Sequence, residues 1–450
     1  MSPLKPISAS NFLVRWLPFL AFCAVVLHHF SFLNNQAMNI PYQDDIYDFL
    51  EYIVLVEASD SPEQALEELY TQYNDHRTSA SRLQVYGAYM LEGEVNFRTL
   101  TFLSNLALPM ILLLLSLSAR GEKHRWTFLL VSALLLLNLR AYDLVLFSQA
   151  AFAYYYVFFY AFACLFALHK VNFPKFLLAL VLCTLCMYTY ASGQVVWLLG
   201  AASLLHQCLF AERKPFIYIV VWLLAAVGML VLWHTGFIDP SSQVPAQAIQ
   251  NMFPDNLVGA SRYQVLMRYF SFFLVILGSA FTTSSTLVAG SIGLAMAASL
   301  SFLTVKFYRL EDMRLVFCCW FVVASAAAVT LGRGKYLAPD YVLETRYSFL
   351  SVMLLITLIM LAQVRLARFR SPAILLLAVA LSGAYWSWAH SHFESPFQEL
   401  VNKRYSEFNS EKFPVFSKPS GQSARVVREA VSAGIYNPPC RPFPMCENSK

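Results

Sequence analysis

Long apolar runs alternate with short basic connectors over most of the chain. A helix needs about 20 apolar residues to cross the hydrocarbon core. The pattern predicts about eleven such spans: 12–33, 98–117, 126–138, 149–168, 176–188, 195–210, 216–233, 286–305, 315–331, 349–364 and 373–388. The expected fold class is an all-α polytopic membrane protein, with a transmembrane domain over 1–390 and a polar tail over 391–450. Residues 263–281 are also apolar enough to span. A crossing there would put the basic connectors 306–314 and 365–370 outside, against the positive-inside trend. The segment is therefore expected to be re-entrant or interfacial, interrupted at Gly278, within a loop region over 236–283.

One stretch breaks the alternation. After the first span comes a polar insert over 34–97, starting Tyr42-Gln43-Asp44-Asp45 and rich in carboxylates. Ile46, Leu50, Ile53 and Val54 fall on one side of a helix, which suits a segment lying on a membrane. Ser61-Pro62-Glu63-Gln64 reads as an N-cap followed by Pro at the first helical position, opening a helix to about Tyr73. The first span, with Lys5 before it and Arg15 at its start, reads as a retained anchor whose N-terminus is cytoplasmic. The insert, the basic loop 332–348 and the tail then lie on the outer side.

Composition agrees. The chain is 58% hydrophobic and 13% charged, where soluble domains carry about 25% charged residues. The net charge of +5 sits mainly in inner connectors, so it orients the protein and gives no nucleic-acid signal. Cys183 and Cys186 form a C-x-x-C inside an apolar run, where packed thiols are expected. Cys440 and Cys446 lie close together in the tail, near enough in sequence for a small disulfide ring in an oxidising compartment.

Polarity thus concentrates on the outer side, and candidate chemistry follows it. No Walker loop is present for an ATPase, and the spans are nearly free of the ionisable residues a transporter places mid-membrane. Asp44 and Asp45 are the first candidates, since a carboxylate can take a proton from an acceptor or hold a divalent cation. Asp75, His76 and Arg77 offer a charged handle for a phosphate or sugar. Arg333, Lys335 and Arg346, with Tyr347, are basic and aromatic on the side where basic residues are scarce, which suits a lipid phosphate. Asp143, in the turn after the third span, is a second outer acid. Each of these also has a plain structural reading: solvated acidic loop, surface turn, headgroup anchor or local ion pair.

Together these features resemble the GT-C superfamily of polytopic glycosyltransferases that use polyprenyl-phosphate-linked sugars. The resemblance rests on the first span followed by a long outer loop with Tyr42-Gln43-Asp44-Asp45 near its start, and on Asp143 as the later acid. Asn74-Asp75-His76-Arg77 matches an N-(D/E)-H-R-like run in that loop. Gly332-Arg333 and Arg346-Tyr347 match a late G-R…R-Y pattern. It covers most of 12–390 and not the tail.

The resemblance implies inverting transfer of a sugar from a polyprenyl-phosphate donor to a hydroxyl of a glycan, lipid or protein such as pilin. The active site would face the periplasm of a bacterial inner membrane. Asp44 or Asp45 would be the general base, and Arg333 and Arg346 would hold the leaving phosphate. Metal use stays open, with Asp44, Asp45 and Asp143 as the ligands if there is one. The competing classes are an O-antigen ligase or polymerase, whose large catalytic loop comes late in the chain, and a non-enzymatic flippase for lipid-linked sugars.

Overall fold

The computed structural model describes residues 9–119, 122–210, 214–238, 257, 260–310, 312–344, 346–410 and 420–439. The tail cysteines Cys440 and Cys446, expected as a candidate disulfide, lie outside the described residues. Among those described, no strand forms, and eleven helices are long and apolar enough to cross a membrane. The chain is an all-α multi-pass membrane protein.

The bundle is built from α1 (Ala9–Gln36), α5 (Phe97–Ser116), α6 (Glu122–Leu136), α7 (Ser148–Ala167), α8 (Phe173–Met187), α9 (Val195–Phe210) and α10 (Phe216–His234). It continues with α11 (Arg262–Gly278), α12 (Thr286–Phe307), α13 (Arg314–Arg333), α14 (Ser348–Arg365) and α15 (Pro372–Asn409). The set that meets the length and hydropathy criteria includes 262–281, which the sequence suggested does not cross. It leaves out α8, only 15 residues long. The start of α11 is tied to the loop after α13: Arg268 donates to the Leu337 carbonyl and Tyr269 lies against Gly334. Arg140, after α6, donates to the Ala280 carbonyl just past its end. Both ties are to loops that meet at one end of the bundle, called here the polar end. Gly278 and Gly293 let α11 and α12 touch backbone to backbone. A Cβ at Gly278 would run into the Ala289 carbonyl, and one at Gly293 into that of Leu274.

The polar end carries a second tier, the insert between α1 and α5. It folds as α2 (residues 45–57, opening with a wide turn over Asp45–Leu50), α3 (Pro62–Tyr70) and α4 (Ser79–Glu92). Ser61 caps α3 by accepting from the Gln64 amide, as its sequence predicts. The helix stops at Tyr70, earlier than expected, because Thr71 turns extended. Gly93 ends α4 in the left-handed conformation (φ 77°), which costs glycine little.

The tail departs most from expectation. The last span does not end near residue 388. α15 is 38 residues long in all and continues to Asn409, about 57 Å at 1.5 Å per residue, so its second half stands clear of any ~30 Å hydrocarbon core. α16 (Ser420–Ser432) then folds back on the insert. Val426, Val427 and Ala430 share a core with Ile46, Phe49, Leu50 and Ile53. The Val95 amide donates to the Ile435 carbonyl at 2.7 Å, and the Tyr436 hydroxyl to the Asn39 carbonyl at 2.6 Å.

Candidate functional site

The adjacent acids of the insert point in different directions, and their surroundings separate their roles. Asp45 is fully buried. One of its oxygens accepts from the Tyr42 amide at 3.0 Å and the other from the Gln149 amide at 2.8 Å. Gln149 is in the first turn of α7, where backbone N–H groups lack helical partners and favour an anion. Arg404 of α15 is the counter-charge nearby. It is also buried, donating to the Leu146 carbonyl at 2.8 Å and the Ile40 carbonyl at 2.6 Å, with its guanidinium over the Tyr42 ring. Asp48 is engaged likewise: it pairs with Arg82 at 3.0 Å and accepts from Thr78 and Gln149.

Asp44 differs. It is only partly buried. The Tyr73 hydroxyl donates to its Oδ1 at 2.6 Å, and its Oδ2 has no hydrogen-bond partner among the described residues. Tyr73 is placed by a tight turn. Its amide and that of His76 donate to each other's carbonyls at 2.9 Å, with Asn74 left-handed between them (φ 48°). Asparagine tolerates that conformation better than most residues. The same turn presents Asp75 and His76. Asp75 Oδ1 lies 3.2 Å from His76 Nε2 and 3.6 Å from a guanidinium nitrogen of Arg333.

Arg346 completes the ring. Its amide donates to Asp143 Oδ2 at 3.1 Å and its Nε lies 3.9 Å from the same oxygen. Asp44 feels the charges of both Arg346 and Arg333. A run of aromatic rings links these groups: His76 on Tyr190 at 4.0 Å, Tyr190 near Tyr154 at 5.4 Å, Tyr154 near Tyr347 at 6.4 Å, and Tyr347 near Tyr341 at 6.5 Å. An open trough of about 600 Å³ begins next to Tyr341, between Asp340 and the Tyr263–Ser271 face of α11. It holds none of the clustered acids.

The structure thus gathers Asp44, Asp75, His76, Asp143, Arg333, Arg346 and Tyr347. Three other sequence candidates fall elsewhere. Asp45 is spent on backbone amides. Arg77 is buried under the cleft, donating to the carbonyls of Trp233, Tyr70 and Thr235 with its guanidinium 4.3 Å from the Tyr70 ring centre. Lys335 is exposed, beside the Tyr336 ring. Tyr73, Tyr190 and Tyr154 were missed. Tyr73 had a signal, since it directly precedes the Asn74-Asp75-His76-Arg77 run.

The acids do not make a metal-ligand set. Both Asp45 oxygens are taken by amides, and Asp143 faces Arg346. Among the described residues no three His, Cys, Asp or Glu side chains are grouped to hold a cation.

Burial sets the proton affinities. It raises Asp44 above the usual carboxylate range, with the Tyr73 hydrogen bond pulling the other way. Burial would raise Asp75 too, but His76 and Arg333 outweigh it and hold Asp75 below its ordinary value. Burial lowers His76 against the pull of Asp75. Asp45 is pushed up to about 7 by burial, opposed by Arg404 and its two amide donors.

The last shift has a measurable sign. An unfolded chain releases the Asp45 proton near pH 4, whereas the folded chain keeps it to about 7. Between those values folding takes up a proton, so this group's contribution to stability falls as pH rises and levels off above 7. The melting temperature in detergent is expected to rise between pH 7.5 and 5.5, by an amount that shrinks in Asp45→Asn. An unchanged pH dependence in that variant would remove the assignment.

No protein family model, no curated protein and no solved structure matches the chain.

Proposed function

We propose that this chain is an inverting glycosyltransferase of GT-C type. It would move a sugar from a polyprenyl-phosphate donor to a hydroxyl acceptor on a glycan, lipid or protein, at the periplasmic face of a bacterial inner membrane. The observation that carries the reading is the gathering, in one cluster at the polar end of the bundle, of two arginines and a carboxylate with one oxygen unpartnered among the described residues. In this reading Asp44 Oδ2 takes the proton, and Arg333 and Arg346 hold the phosphate.

The acceptor O–H gives its proton to Asp44 as its oxygen bonds to the anomeric carbon from the face opposite the phosphate. The bond from that carbon to the phosphate oxygen breaks, and the oxygen leaves with the electron pair. Arg333 and Arg346 offer the charge-assisted hydrogen bonds that stabilise the leaving phosphate. A carboxylate raised by burial is a stronger base than a solvated one, and Tyr73 holds it in place. Transfer therefore requires ionised Asp44 and declines as pH falls through its raised pKa.

The test is transfer by the purified full chain from a panel of polyprenyl-phosphate sugars to lipid, glycan and pilin-type acceptors. Transfer with inversion at the anomeric carbon supports the reading. Retained configuration, or an absence of transfer from every donor by a protein that folds, overturns it.

A further inference from the structure

The hydrogen-bonding atoms left over in the cluster are unevenly divided. Two acceptor positions lack donors among the described residues: His76 Nδ1 and Asp44 Oδ2. The first is shut off from solvent and has no partner. An acceptor buried without a donor costs about 1–3 kcal/mol, so His76 Nδ1 asks for a ligand that brings a donor. The positive groups, Arg333 and Arg346, supply N–H donors in the same place.

His76 is oriented for this use. Its Nε2 faces the Asp75 carboxylate, an arrangement that places the ring proton on Nε2 and leaves the lone pair on Nδ1. Burial favours the neutral imidazole against the attraction of Asp75, Asp44 and Asp48, and Arg333 favours it too. The side chain is over nine-tenths buried.

The chemistry of the missing partner follows from donor counting. A phosphate dianion brings acceptors only and belongs on the arginines. An isoprenoid chain brings neither. A sugar brings several O–H donors on a small rigid ring. Resting on the transferase reading above, we infer that His76 Nδ1 is the acceptor for a hydroxyl of the transferred sugar, separate from the phosphate site at Arg333 and Arg346. Asp44 Oδ2 is left for the attacking hydroxyl. Tyr190 packs on the imidazole at 4.0 Å and holds the ring while its in-plane Nδ1 lone pair stays available. His76 is then a sugar-selecting residue, and a donor lipid is recognised by two groups of opposite character.

The two halves can be measured apart. Binding to the full chain in detergent is compared for sugarless polyprenyl phosphate and for the same lipid charged with a pentose or a hexose. Wild type is expected to hold one charged lipid more tightly than the sugarless one. His76→Phe keeps the ring and removes both nitrogens. It is expected to lose about tenfold in affinity for the charged lipid, one buried hydrogen bond's worth, and nothing for the sugarless lipid. His76→Asn, which keeps an acceptor oxygen, is expected to fall between.

The sugarless lipid also serves as the control for folding. Equal losses for both lipids would make His76 a phosphate ligand and overturn the inference. So would unchanged affinity for both, or a wild type indifferent to the sugar. Transfer is assayed on the same wild type. If it selects the charged lipid yet transfers to no acceptor, the transferase reading falls while the sugar subsite stands.

Discussion

Asp44→Asn is expected to lower transfer by about 10²–10⁴-fold, the usual contribution of a positioned general base, with the melting temperature close to wild type. The partly buried carboxylate makes one hydrogen bond to a side chain, from Tyr73, and Asn can still accept it. What disappears is the oxygen proposed to take the acceptor's proton. Asp45→Asn is expected to behave differently. Its two oxygens face two amide N–H groups, and an Asn side chain would turn its NH₂ toward one of them and leave Arg404 uncompensated. That variant should lose stability while retaining a functional base, so its specific activity per folded molecule should far exceed that of Asp44→Asn. Turnover and thermal unfolding measured on the same preparations check the pair. Full transfer by Asp44→Asn would remove Asp44 from the mechanism.

The second large effect is expected at a residue far from Asp44 in sequence. Arg404→Met is expected to destabilise the insert by about 3–5 kcal/mol, the cost of leaving one partner of a buried pair without the other. Asp45 has a partial escape, because it can take up a proton when its counter-charge is removed. The loss should therefore be largest above pH 7, where wild-type Asp45 is ionised, and smaller near pH 5.5. Two backbone carbonyls, those of Ile40 and Leu146, also lose their donor, so some loss remains at every pH. Thermal unfolding of the variant at both pH values checks this. A loss that grows on acidification would contradict the pairing with Asp45.

The spans were legible because apolar runs of crossing length have few other uses. The cleft was legible in part. Asp44, His76, Arg333, Arg346, Tyr347 and Asp143 sit in loops that the order of the spans sends to one end, so their meeting follows from topology. Which neighbour of an adjacent pair faces the cleft does not follow. Asp44 and Asp45 look alike in sequence, and they are told apart by the turn that opens α2 and by the two amides waiting for Asp45. Arg77 reads as a partner of His76, yet its side chain goes to carbonyls at the end of α10. Arg404 had no local signal, because its partners are fixed by tertiary packing alone. The continuation of α15 past residue 388 was hidden because its residues turn polar where the helix leaves the apolar layer. Polarity there marks a change of solvent and leaves the backbone helical.

The clasp between the start of the insert and the tail also has a schedule. Ile40 and Arg404 are 364 residues apart. At roughly 5–20 residues per second, the ribosome reaches the arginine about 20–70 s after it has made Ile40. During that interval Asp45 has no counter-charge, Ile46 and Phe49 have no α16 to cover them, and the cleft lacks both Arg333 and Arg346 for most of the time. The charged cluster and its support are therefore assembled only after Arg404 has been made. A stretch made late thus locks one made early, so a ribosome that stops before Arg404 leaves an open insert for quality-control proteases.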